Sequence, residues 1–89
     1  MSTSDNPEIA GKEFLEFILK NLVEDHDQLE VTSVTDDLGV LLTVKVSDND
    51  MGKIIGKSGQ TIQALRVLLR LLGGNYSQRI NLKVLEPVA

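Results

Sequence analysis

The sequence predicts a small α+β fold in which helices pack on one face of a three-stranded sheet. Its first segment has apolar residues at the spacing of an α-helix, and three later segments are rich in β-prone residues. Two further helical segments lie between the second and third of these strands. The predicted order is therefore α-β-β-α-α-β, and 89 residues are enough for one domain with a single modest core.

The first helix is predicted to begin at Pro7, because proline suits the first helical position and Asn6 before it is a good N-cap. Its expected apolar stripe is formed by Ala10, Phe14, Phe17, Ile18 and Leu22. Both phenylalanines are therefore expected in the core. The pattern stops near residues 24–27, a polar turn in which His26 is expected to be solvated and to have no functional role.

A β-hairpin is predicted next, with strands over 31–35 and 40–46 and turn residues over 36–39. One face of the second strand is entirely apolar and is expected to point toward the core; it consists of Val40, Leu42, Val44 and Val46. The opposite face carries Leu41, Thr43 and Lys45.

Two helices follow the hairpin. The polar cluster 47–50 offers helix N-caps and predicts a short helix over 51–55, which Gly56 ends. A longer amphipathic helix then presents Ile62, Leu65, Leu68, Leu69 and Leu72 at helical spacing, and Gly73–Gly74 terminates it. Arg66 and Arg70, four residues apart, lie on one flank of this helix.

The last segment, 79–84, alternates apolar and polar residues and is predicted to be a strand. Pro87 is expected to end the ordered chain. The predicted organisation is a flexible N-terminal tail over 1–6, one domain over 7–86 and a C-terminal tail over 87–89.

Composition narrows the function classes. The chain has no cysteine, so disulfides and thiolate chemistry are excluded, and no apolar run approaches the roughly 20 residues of a membrane span. With no signal-peptide pattern, we expect a cytoplasmic protein. The net charge of −4 is unevenly distributed: residues 1–50 carry three lysines against twelve acids, whereas residues 51–89 carry six basic residues against Glu86. A local basic face can bind a polyanion despite the net charge.

The segment Gly56-Lys57-Ser58-Gly59 is the strongest functional signal. It joins two predicted helices, and glycine lets backbone approach another backbone closely. The start of the following helix carries a partial positive charge that suits a phosphate, and Lys53 adds a nearby cation. A Walker A loop is excluded, because it needs a glycine at position 51, where the chain has Met51.

The stretch 54–62 reads IIGKSGQTI and resembles the K-homology (KH) domain signature I-I-G-x-x-G-x-x-I. In KH domains this loop holds about four nucleotides of single-stranded nucleic acid. A helix and two strands precede the helix pair here, which is similar to the type II arrangement. Over roughly 7–85 the chain resembles the small stand-alone bacterial KH proteins of the KhpA (YlqC) family. It departs at Gln60, where family members often carry a basic residue.

The resemblance implies a single-stranded RNA-binding protein of the RNA chaperone or post-transcriptional regulator type. The residues it implies in RNA binding are Lys53, Ile55, Gly56, Lys57, Ser58, Gly59, Gln60, Ile62 and Arg66. Bases are expected over an apolar groove lined by some of Ile54, Ile55 and Ile62 together with strand residues such as Leu41 and Thr43. Whether the nucleic acid is RNA or DNA is not decided by the residues.

The alternative is a protein-interaction module that forms a homodimer or docks on a larger KH-containing protein, with little RNA binding of its own. The resemblance implies both activities. We expect no enzymatic activity, since the chain lacks a catalytic constellation, and no cofactor. The acidic turn residues lack the spacing of a calcium loop, so no metal site is expected either.

Overall fold

A computed structural model of the chain describes residues 6–85. Its helices are α1 (Pro7–Leu22), α2 (Asp48–Ile55) and α3 (Gln60–Gly74), and its strands are β1 (Glu30–Asp36), β2 (Gly39–Lys45) and β3 (Ile80–Val84). Single turns of 3₁₀ helix lie at His26–Gln28 and Lys57–Gly59. The predicted element order is confirmed. Pro87 and the tail predicted over 87–89 lie outside the described residues, as does the N-terminal tail up to residue 5.

The sheet has the strand order β1-β2-β3, with β2 antiparallel to β1 and parallel to β3. The apolar face predicted for β2 is confirmed, since Val40, Leu42, Val44 and Val46 are all buried beneath the helices. Leu42 is aligned with Ser33 of β1 and with Leu82 of β3. The opposite face of the sheet carries Leu41, Thr43 and Lys45 and is not covered by the three helices. Helices therefore pack on one face, as predicted.

The apolar stripe predicted for α1 is only partly correct, because Phe14 and Ile18 pack against the core but Phe17 does not. The buried positions of this helix are Gly11, Leu15 and Leu19, whereas Phe17 is 70% exposed. The physical reason is Gly11, which brings the helix so close to the sheet that a Cβ there would lie 3.3 Å from Leu42 Cδ1. That contact selects the line of residues spaced by four from position 11, and it turns Phe17 toward solvent.

Two other details of the helices differ from the prediction. Leu68 of α3 is 43% exposed and does not belong to the core, although Ile62, Leu65 and Leu69 do. Helix α2 begins three residues earlier than predicted, because the hydroxyl of Ser47 accepts a hydrogen bond from the Asp50 amide and caps the helix.

The beginning of α1 is attached to β1 through one carboxylate. Glu8 accepts hydrogen bonds from the hydroxyls of Thr35 and Ser33, the latter at 2.8 Å. Both hydroxyls lower the pKa of Glu8 below its usual value, and that of Thr35 has the larger effect. The contact aligns α1 with the strand over which it passes. Within residues 6–85, no helix combines the length and apolar character that crossing a membrane requires.

Candidate nucleic-acid interface

The loop between α2 and α3 has a backbone that ordinary residues rarely adopt. Gly56 has φ 75° and ψ 177°, Ser58 has φ 56° and Gly59 has φ 74°. Three positive φ values in four residues turn the chain sharply from one helix into the next. A non-glycine residue at positive φ, such as Ser58, stores strain of about 1–3 kcal/mol, and such strain is concentrated at ligand-binding sites.

Hydrogen bonds within the protein hold this loop in shape. The amide of Gly56 donates to Gly52 O at 2.8 Å and ends α2, while the amide of Gly59 donates to Gly56 O at 3.3 Å. The Gln60 amide donates to Lys57 O. The side chains of Lys57 and Ser58 are exposed at the tip. The loop therefore presents a cation and a hydroxyl on a backbone that is already fixed.

A buried carboxylate anchors the helix that leads into the loop. Asp50 is 1% exposed, and its carboxylate oxygens accept hydrogen bonds from the amides of Glu24 and Asp25, each at 3.0 Å, and from the Ser47 hydroxyl at 3.1 Å. These bonds lower the pKa of Asp50, and the bond from the Glu24 amide has the largest effect. Sequence reasoning missed this role, although the Ser-x-x-Asp spacing of Ser47 and Asp50 indicates a capping box.

Lys53, predicted to contact RNA, is engaged in an ion pair. Its Nζ lies 2.6 Å from a carboxylate oxygen of Glu24 and 4.0 Å from Asp50 Oδ1. Glu24 is largely exposed, so the pair is screened by solvent and contributes little to stability. In this arrangement the charge of Lys53 is partly neutralised by the protein's own acids.

An open groove of about 250 Å³ lies between α3 and β3 and begins at the end of α2. It is lined by Ile55, Ile62, Arg66, Leu82, Lys83 and Val84. Nη2 of Arg66 donates to Leu82 O at 3.5 Å across the groove. Three of the predicted binding residues, Ile55, Ile62 and Arg66, are therefore brought together beside the loop.

The prediction that Leu41 and Thr43 line this groove is wrong. Leu41 and Thr43 belong to the uncovered face of β2, the central strand, whereas β3 at the sheet edge supplies the groove wall. Ile54 does not line the groove either, since it is fully buried in the core. Sequence reasoning missed Leu82, Lys83 and Val84. A signal was present, because the strand that directly follows a helix in the chain is a natural neighbour of that helix.

Charge around the groove is positive. Its lining residues include Arg66 and Lys83 and no acid, and Lys57 lies in the adjoining loop. Among residues 6–85, no group of three or more His, Asp or Glu side chains is arranged to hold a metal ion. The lining combines an apolar floor with cations at the rim, which suits bases on one side and phosphates on the other.

Comparison with known proteins extends these observations. The family described as KhpA/KhpB, KH domain matches residues 12–84. The RNA-binding protein KhpA of Chlamydia pneumoniae is 37% identical over 75 residues, covering 84% of this chain and 96% of that protein. RNA-binding protein KhpA of Aquifex aeolicus is 34% identical over 77 residues, covering 86% and 98%. That of Borreliella burgdorferi is 34% identical over 74 residues, covering 83% and 90%.

These matches span the hairpin, both helices around the loop and the last strand. They agree with the helix–loop–helix geometry at Gly56–Gly59 and with an element order in which a helix and two strands precede the helix pair. The chain belongs to the KhpA/KhpB family of KH domains.

Proposed function

We propose that this protein binds single-stranded RNA through the Gly56–Gly59 loop and the groove beside it, without enzymatic activity. The observation that carries the proposal is the continuity of the strained, glycine-flanked loop with an apolar groove whose rim is cationic. Relatives at 34–37% identity that are named RNA-binding proteins support RNA as the ligand. We infer that the protein acts in the cytoplasm as an RNA chaperone or post-transcriptional regulator.

Each part of the site has a separate role in this proposal. Lys57 and Ser58 contact phosphate through their side chains and amides, since the amides of Gly59 and Gln60 are already bonded within the protein. Bases lie over Ile55 and Ile62, and the Gln60 side chain extends the polar edge. Gly56 and Gly59 supply the backbone conformation that brings these groups together.

Affinity from one such domain is expected to be weak and sensitive to salt. No aromatic residue lines the groove, so stacking worth about 1–3 kcal/mol per base is absent there. With about two or three phosphate contacts at roughly 0.7 each, the slope of log affinity against log salt is expected near −1.4 to −2.

The test compares the wild type with the double variant Lys57→Asp, Ser58→Asp on a labelled single-stranded RNA and on DNA of the same sequence. Both positions are exposed, so the fold is expected to persist, which circular dichroism checks. The matched control places the same two acids at exposed positions away from the site, Lys20→Asp with Gln28→Asp. We expect the loop variant alone to lose binding; equal binding by wild type and loop variant contradicts the proposal.

A second function is favoured by an unpartnered apolar stripe on α3. Ala64, Val67, Leu68 and Leu71 are all exposed and recur at helical spacing, and Leu71 is 66% exposed. We propose that this stripe forms a homodimer or docks on a larger KH-containing protein, which would raise the avidity of a weak RNA site. Sedimentation of Leu71→Asp against the control Leu38→Asp, 80% exposed in the hairpin turn, tests it. A monomeric wild type without affinity for a KH partner contradicts this function.

A further inference from the structure

A second cavity continues the groove toward the end of α3. It has a volume of about 570 Å³, and its lining includes Arg66, Arg70, Gln78, Arg79, Asn81 and Leu82. Arg66 and Leu82 also line the smaller groove beside the loop. The two cavities therefore follow one another along β3 from Val84 back to Ile80, and the residues they share are the two that the hydrogen bond from Arg66 to Leu82 O joins. The two cavities together are called the trough.

The chemistry of this second part differs from that of the first. Three arginines line it, together with the polar residues Ser77, Gln78 and Asn81, and no acid is among its lining residues. Within residues 6–85, neither Arg70 nor Arg79 forms an ion pair with a carboxylate, and both are exposed. Guanidinium presents donors in a planar fork that matches phosphate oxygens.

The walls of this part are held by backbone contacts. A Cβ at Gly73 would lie 2.3 Å from Gln78 O, so glycine lets the end of α3 approach the start of β3. The amides of Tyr76 and Gln78 both donate to Gly73 O at 3.0 Å and close the intervening turn. The carbonyl of Arg79 accepts from Val40 N at 2.8 Å. The backbone from which Arg79 projects is thus fixed before any ligand binds.

We propose that Arg70 and Arg79 form a second phosphate-binding site that extends the RNA track past the groove beside the loop. This inference rests on the proposed function, since the strand enters the trough at Gly56–Gly59. Arg70 lies four residues beyond Arg66 along α3, about 6 Å, and Gly74 lies about 6 Å farther. Nucleotides beyond those held beside the loop occupy this length, with phosphates against the two guanidiniums and bases toward Asn81 and Gln78.

The experiment measures the binding of uridine oligonucleotides of four and eight residues. The proteins are the wild type, the loop variant Lys57→Asp, Ser58→Asp, and the arginine variant Arg70→Gln with Arg79→Gln. A control of equal charge change to the arginine variant is Lys20→Gln with Lys45→Gln, whose residues line neither cavity. The arginine variant should bind the tetramer as the wild type does. It should bind the octamer about tenfold more weakly at 200 mM salt, with a salt slope shallower by about 1.4, as expected for two lost contacts.

The outcomes separate this inference from the proposed function. If the loop variant Lys57→Asp, Ser58→Asp binds the tetramer as well as the wild type, the proposed function fails and the extension fails with it. If the tetramer depends on the loop but the arginine variant binds the octamer normally, only the extension is overturned. Equal losses for tetramer and octamer, or for the arginine variant and its lysine control, also overturn it, because the arginines then act through the general field alone.

Discussion

A Cβ at position 56 would lie 2.3 Å from Oγ1 of Thr61 and 2.8 Å from its amide nitrogen. Gly56 thus lies directly against the first turn of α3, and its φ of 75° is also unfavourable for other residues. Shape and backbone conformation both require glycine here, in the segment on which the proposed RNA site depends.

The first prediction follows from that contact. Gly56→Ala should destabilise the protein by about 1–3 kcal/mol through overpacking and should also weaken RNA binding. Its matched control is Gly52→Ala in the adjoining helix, where an added Cβ meets no atom within 4 Å. Since alanine is the better helix former, the control should be neutral or more stable by up to about 1 kcal/mol. Urea unfolding measures both; equal midpoints would show that the loop rearranges freely.

The second prediction concerns acid stability. The Asp50 carboxylate, held by the Glu24 and Asp25 amides, has a pKa below its usual value, so its ionised form stabilises the folded state. That contribution is full above the unfolded-state pKa of about 3.9 and is lost as pH falls through the lower folded-state pKa. In Asp50→Asn, an NH₂ group replaces one of the two acceptor oxygens and cannot accept a hydrogen bond from a backbone amide. This variant should therefore melt at a lower temperature than the wild type at neutral pH.

The melting temperature of Asp50→Asn should approach that of the wild type as the pH falls below about 4. The control is Asp48→Asn, whose exposed carboxylate in the same helical turn accepts none of these hydrogen bonds. Thermal melts across this pH range measure the difference. A deficit for Asp50→Asn that is independent of pH would rule out the ionised carboxylate as its source.

The third prediction uses the ion pair of Lys53 and Glu24. Glu24→Gln removes the carboxylate 2.6 Å from the ammonium and frees Lys53 for phosphate. We expect tighter RNA binding and a salt slope steeper by about 0.7, as for one additional contact. Glu13→Gln, an exposed change of equal charge on α1, should leave the slope unaltered. If both variants behave alike, only net charge is at work and Lys53 is not part of the site.

The fourth prediction tests the packing of α1. Leu15→Ala should cost about 2–5 kcal/mol, since the side chain is fully buried, whereas Phe17→Ala should change stability by less than about 0.5 kcal/mol. Chemical denaturation of the two variants gives the comparison. A larger loss at Phe17 than at Leu15 would restore the helical face predicted from the sequence.

Much of the fold was predictable because local patterns and tertiary packing agree. The alternation over 40–46 matched the buried face of β2, and Asn6-Pro7 marked the first helix because capping depends only on neighbouring residues. The centre of the buried face of α1 was missed, although Phe14 and Ile18 at its margin were predicted, because a buried glycine, Gly11, has no side chain to count as apolar. Its contact with Leu42 is a long-range feature that spacing does not reveal.

In the candidate site, too, some residues were predictable from the sequence and others were not. The residues around Gly56–Gly59 were predictable from a contiguous signature, and the structure brings Ile55, Ile62 and Arg66 into one groove. The groove wall formed by β3 was not predictable from that signature, since its position depends on strand order. The ion pair of Lys53 with Glu24 joins residues 29 positions apart, and no local pattern predicts it.

The parallel pairing of β3 with β2 has a consequence for biosynthesis. The chain between Lys45 and Ile80 forms the crossover connection, made of α2, the loop and α3, that brings the last strand to the sheet edge beside β2. Both cavities along the trough take one wall from β3. A nascent chain that has emerged from the ribosome only as far as α3 carries the loop but lacks β3, and with it one wall of both cavities.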